Sequence, residues 1–215
     1  MDGGAGHQPV TLAGHTPNCE PAAEADAMRQ MLAYTAPADL AKDYLNHYAN
    51  DDPGIEALEP PKVSDDRAQN RLVVTEAYKL PAFWKEKQRE FYAWGIDEQI
   101  YLPPTPRRRM PMAIPYPVHV RHRLSVQLPD VFDVKPDSTT IATSAFRFKG
   151  SSRLSGKTIQ LEYDYQTLAD AVAASAAPKH IEELKKVCEN LGYGIWYDRA
   201  AAAVTTPHSS GTDAS

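Results

Sequence analysis

Few choices are left open by the stretch VHVRHRLSVQL (118–128), in which Val118, Val120, Leu124, Val126 and Leu128 alternate with His119, Arg121, Arg123, Ser125 and Gln127. A period of two places the aliphatic set on one side of an extended chain and the polar set on the other, the pattern of an antiparallel strand with one buried and one solvated face. His122 is in phase with the aliphatic residues, which implies either a sheet end or a core histidine held by a hydrogen bond.

The same pattern returns in SAFRFKGSSRL and KTIQLEYDYQTL, with a Ser155–Gly156 turn signal between them. Phe146 and Phe148 alternate with Arg147 and Lys149, and Ile159, Leu161, Tyr163 and Tyr165 alternate with Gln160, Glu162 and Asp164. Further upstream, RLVVTEAYKL (71–80) is a strand in which Leu72, Val74, Tyr78 and Leu80 alternate with Val73, Thr75 and Ala77. A strand ending near Val63 precedes it across the polar loop DDRAQN. The aromatic run from Phe83 to Tyr101 reads as the thick part of the core, because each ring buries a large apolar area.

Helical spacing appears at both ends of this β-rich region. Met28, Met31 and Leu32 share one face. After Pro37, Leu40, Tyr44, Leu45 and Tyr48 form another, closed by Asp51–Gly54. Pro178 opens a last helix carrying Ile181, Leu184, Val187, Cys188 and Leu191 on one side, with Gly192 as its expected stop. The expected fold is therefore α+β and mainly β: an antiparallel β-sandwich-like domain with an N-terminal helical pair and a C-terminal helix. The expected organisation is a flexible leader over 1–22, a helical segment over 24–54, the β-sandwich-like domain with its closing helix over 55–197, and a disordered tail over 198–215.

Chemistry is harder to find. GxSxG, HExxH, Gly-rich phosphate loops and dinucleotide fingerprints do not occur. Cys19 and Cys188 lack metal-ligand spacing and read as free thiols, with Cys188 a core filler. His180 is eight residues from Cys188 on one helix, a separation of ~12 Å, too far for an imidazole to activate the thiol. Glu162 and Asp164 read as solvated charges. No catalytic, cofactor or metal site is expected. Net charge −5 argues against phosphate-driven binding of nucleic acid, and no segment approaches a membrane span. The opening residues lack the basic and apolar runs of an export signal. The candidate ligand-binding residues are Arg107, Arg108 and Arg109, in the proline-studded connection 103–117, together with Arg121 and Arg123 of the polar strand face.

Read in order, AKDYLNHYANDDPGIEA, DDRAQNRLVVTEAYKLPAFW, EFYAWGIDEQIYLPPTPRRRMPMAIPYPVHVRHRLSVQLPD, FRFKGSSRLSGKTIQLEYDYQTLAD and HIEELKKVCENLGY resemble the C-terminal region of bacterial transglutaminase-like proteins. Such proteins carry an N-terminal β-sandwich domain of unknown function, a papain-like core and a β-rich region after it. The resemblance spans roughly residues 24–197 and implies a non-catalytic accessory or interaction module, a fragment or stand-alone remnant. Its partner would be a protein or a transglutaminase-like core supplied by another chain. The family's Cys–His–Asp chemistry would lie upstream, and no residue here matches it. Such proteins are often exported, so the compartment is periplasmic if an upstream segment is missing and cytoplasmic otherwise. Two alternatives remain open: a cysteine-dependent acyl-transfer or protease-like enzyme, and a binder of an anionic peptide, glycan or surface through the arginine-rich face.

Overall fold

The computed structural model describes residues 10–19, 29–80, 82–84, 88–104, 108–128, 132 and 135–196. Its centre is a seven-stranded antiparallel sheet in the order β2-β3-β1-β6-β9-β8-β7. These strands are β1 (Val10–Cys19), β2 (Glu56–Asp66), β3 (Arg71–Leu80), β6 (His119–Gln127), β7 (Asp137–Ala142), β8 (Phe146–Ser155) and β9 (Thr158–Thr167). Two small sheets pair β4 (Gln88–Tyr92) with β11 (Gly192–Trp196), and β5 (Met112–Ala113) with β10 (Ala171–Val172). The helices are α1 (29–34), α2 (Pro37–Asp51), α3 (Trp94–Asp97) and α4 (Ala177–Glu189).

The class is α+β and mainly β. Alternation decides which side of the sheet is covered. Val120, Val126, Ile159, Leu161, Phe146 and Phe148 are all buried on one face, and burying side chains of this size contributes about 1.5–3 kcal/mol each. The layer over that face consists of helices and the β4–β11 pair. Leu184 and Val187 of α4, Phe91 of β4, Ile96 of α3, and Tyr193 and Ile195 of β11 complete one cluster with the sheet, while Leu45, Tyr48 and Ala49 of α2 pack at its margin. On α4 the buried residues Ala177, His180, Ile181, Leu184 and Val187 recur at three- and four-residue spacing, the apolar stripe of an amphipathic helix.

Several expectations are corrected here. Residues 10–19 lie in the stretch read as a flexible leader, yet they form β1, inserted between β3 and β6. Val10 pairs with Leu80, and Leu12 pairs with both Tyr78 and Val126. Gly14 and Pro17 disguised this strand in the sequence. Proline is tolerated in a sheet where the ladder is interrupted, and the register with β3 shifts between Thr16 and Cys19. The last helix stops at Glu189 without using Gly192: the Asn190 side chain donates Nδ2–H to Lys186 O at 2.7 Å, and Gly192 begins β11. The β8–β9 link is Gly156–Lys157, since Ser155 pairs with Thr158. Gly156 alone of the two has positive φ, +60°, as a type II′ turn requires.

Polar clasps tie the helices to the strands, one near the surface and one buried. Arg29 of α1 grips Asp65 through Nε and Nη2 at 3.0 and 2.7 Å and donates Nη1 to Asn70 Oδ1 at 2.6 Å, fixing α1 against the β2–β3 turn. Arg89 of β4 donates two hydrogen bonds to Asp52, just after α2, each 2.5 Å long. The Arg89 guanidinium also sits 5.7 and 5.8 Å from the Phe83 and Phe91 ring centres.

Candidate functional site

The sheet face opposite the core, open among the described residues, carries a dense group of charged side chains. Register aligns it in rows: Arg121 lies opposite Asp164, which lies opposite Lys149; Arg123 lies opposite Glu162, which lies opposite Ser151; and His119 lies opposite Gln166, which lies opposite Arg147. Adjacent strands are about 4.8 Å apart, so these side chains act as neighbours. Arg121, Arg123, Arg147, Lys149, Ser151, Glu162 and Asp164 line a shallow concavity of about 390 Å³. That volume lies in the range of small-ligand clefts, but the charged lining suits a polar, ionised occupant.

Within it the charges are unequally matched. Arg121 Nε donates to Asp164 Oδ2 at 2.6 Å, and His119 Nε2 lies 3.2 Å from the same oxygen. Partial burial would raise the Asp164 carboxyl, but these two hydrogen-bond partners outweigh it and hold the carboxyl down at about 2. Asp164 is thus a fixed anion that orients its neighbours, and not the freely solvated charge expected of it. Glu162 is shared more loosely by Arg153 at 3.5 Å and Arg123 at 4.0 Å. Among the described residues Arg147 finds only the neutral Gln166 oxygen, at 2.8 Å. Lys149 has no ion pair among the described residues.

The arginines expected to bind do not form one site. Arg121 and Arg123 lie on this face. Arg108 and Arg109 are exposed in the connection before β5 and do not line the concavity, and Arg107 lies outside the described residues. Arg147, Lys149 and Ser151 belong to the site although the sequence did not single them out. Their phase against Phe146 and Phe148 was readable, but the adjacency of β8, β9 and β6 was not.

On the covered face, Glu76 was missed although it is in phase with Leu72, Val74, Tyr78 and Leu80. It is only 2% exposed and accepts a 2.9 Å hydrogen bond from the Tyr78 hydroxyl. Tyr48 also hydrogen-bonds Glu76, and the two tyrosine rings lie 5.0 Å apart. Burial first, then the Glu76 charge, pushes both phenols well above their usual range. This carboxylate is closed off by its hydroxyl donors and serves as an acceptor inside the core.

Cys188 is half-buried. Burial first, then the charge of Asp97, pushes its thiol up to about 11, the opposite of what a nucleophile needs. His180 packs edge-on against Phe146 at 5.4 Å, and neither ring nitrogen has a hydrogen-bond partner among the described residues. Burial lowers its affinity for a proton. Among the described residues no group of three or more His, Cys, Asp or Glu side chains is placed to hold a metal ion, and no helix is long and apolar enough to cross a membrane.

Of the two expectations for His122, the core position holds, but its Nδ1 has no hydrogen-bond partner among the described residues. Burial pushes its pKa down to about 4. The folded state therefore keeps His122 neutral, while the unfolded chain protonates it below about 6.5. Its contribution is complete above pH ~6.5 and is lost as pH falls toward 4, an acid penalty of about 3 kcal/mol. Urea unfolding between pH 7 and pH 4 should show His122→Leu losing about that much less stability than the parent chain. Parallel curves for the two proteins would contradict this account.

No family model, curated protein or solved structure matches the chain.

Proposed function

We propose that the chain is a non-catalytic interaction module, of the accessory kind that accompanies a transglutaminase-like core, and that its working surface is the open sheet face, which receives an anionic partner. One observation carries this reading. Three adjacent strands present Arg121, Arg123, Arg147, Lys149 and Arg153 against only two carboxylates, Glu162 and Asp164, in a chain whose net charge is −5. Asp164 is already engaged by Arg121 and His119, so Arg147 and Lys149 form no ion pair with a carboxylate among the described residues. Cysteine-dependent chemistry would require a thiolate, and the surroundings of Cys188 favour the thiol.

Polyglutamate is a suitable first ligand. Reversing both uncommitted cations, Arg147→Glu with Lys149→Glu, should weaken its binding at least tenfold in titration calorimetry. Affinity for the parent chain should fall steadily with added salt, as screening requires. Both residues are exposed and neither pairs with a carboxylate, so the melting temperature should hold. Equal affinity in the reversed variant, or indifference to salt, would remove the proposal.

A further inference from the structure

The two edges of the large sheet are built differently. β2 is guarded: Pro60 and Pro61 interrupt it, its register with β3 shifts twice, and Glu56, Glu59 and Lys62 line it. Prolines, bulges and charges are the usual means by which an edge strand avoids pairing with another chain. β7 has none of these within its six residues, DSTTIA, apart from Asp137 at its start. It runs in unbroken register with β8 from Asp137 opposite Ser152 to Ala142 opposite Arg147. Among the described residues no backbone hydrogen bond leaves β7 on its outer side, so a row of amide N–H and carbonyl groups faces outward there.

The side chains of β7 fit an added strand. Thr140 lies opposite Lys149 and Ala142 opposite Arg147, so the cationic face thins to small neutral residues at its margin. A strand beyond β7 would sit about 10 Å from β8, two strand spacings away, within the joint reach of a lysine and a carboxylate side chain leaning over Thr140. On the covered side, Ile141 is buried and Thr139 is half-buried, so side chains of an added strand on that side would lie next to an aliphatic residue and a hydroxyl.

We infer that the anionic partner is an extended acidic segment that pairs with β7 as an eighth strand. Its backbone satisfies the open edge, and its alternate carboxylates face Arg147 and Lys149. The main-chain ladder supplies affinity and the alternate side chains supply selectivity, as in other strand-addition complexes. A second copy of this chain is the poorer occupant. Two-fold pairing of β7 with β7 would gather Arg147 and Lys149 of both copies on one face, three strand spacings or about 14 Å apart, with only Ser138, Thr140 and Ala142 of each copy between them and no carboxylate to answer the charge. The inference rests on the reading of the open face as the working surface.

The test uses an octapeptide alternating glutamate and valine, and the same peptide N-methylated along one backbone edge, which keeps the charge and removes the ladder. The unmodified peptide should slow amide hydrogen exchange in β7 at least tenfold at saturation, and N-methylation along the pairing edge should weaken binding at least tenfold. Peptide that binds while β7 exchange is unchanged, whichever edge is methylated, overturns strand addition and leaves the anionic-partner reading intact. Failure of both polyglutamate and the octapeptide to bind overturns both. A dimer in sedimentation that Thr140→Arg dissolves would assign the β7 edge to self-association and overturn the inference.

Discussion

Deletion of residues 1–19 should abolish the single cooperative unfolding transition of this domain. Among the described strands only β1 touches both β3 and β6, pairing with β3 from Val10 to Cys19 and with β6 from Leu12 to His15. Without it the sheet separates into the β2–β3 hairpin and the four-strand set β6-β9-β8-β7, each with a new open edge. A two-stranded hairpin is at best marginal alone. The lost ladder, with the core around Tyr78 and Leu80, is comparable to a domain's whole stability of about 5–15 kcal/mol. Circular dichroism during a thermal melt should show a broad or absent transition, with residues 71–80 losing amide protection. A sharp transition near the parent midpoint would refute the central placement of β1.

Among single substitutions, Asp52→Ala should be one of the most damaging. Arg89 is only 5% exposed, flanked by two phenylalanine rings, and its charge is answered by both oxygens of a carboxylate that is 13% exposed. Removing Asp52 strands a guanidinium in the core, which typically costs about 3–5 kcal/mol. In a domain of this size that lowers the melting temperature by about 10 °C, readable by scanning calorimetry. The physical cause is the abandoned charge more than the missing bond, so adding Arg89→Met to Asp52→Ala should restore much of the loss. Equal destabilisation in the single and double variants would point instead to a packing role for Asp52.

The strands legible in the sequence are those in which a strict period coincides with large apolar side chains. β6 and β9 announce both faces because Val, Ile, Leu and Tyr alternate with charges along them. β1 carried no such signal, and its strand state comes from two neighbours more than 50 residues away in the chain. The site was half visible for a related reason. Arg121 and Arg123 stood out inside an obvious strand. Joining them to Arg147 and Lys149 required knowing that β9 separates β6 from β8, which is a property of topology and not of local spacing. Arg108 and Arg109 attracted notice as a run, but a run of like charge in a loop has no partner strand to organise it. Glu76 is the opposite case: the alternation of β3 is plain, and Glu76 is the one charged residue of that strand in phase with the core.

The segregation of cations on one sheet face has a consequence for the molecule as a whole. A chain with net charge −5 that gathers an excess of positive charge on one side must hold a still larger negative excess over the rest of its surface. It is an electric dipole as much as a weak acid. In the field of an oppositely charged body it experiences a torque before it makes contact, so encounters arrive already oriented with the cationic face forward. At low ionic strength the domain should therefore adhere to cation exchangers and anion exchangers alike, presenting opposite sides of itself to each.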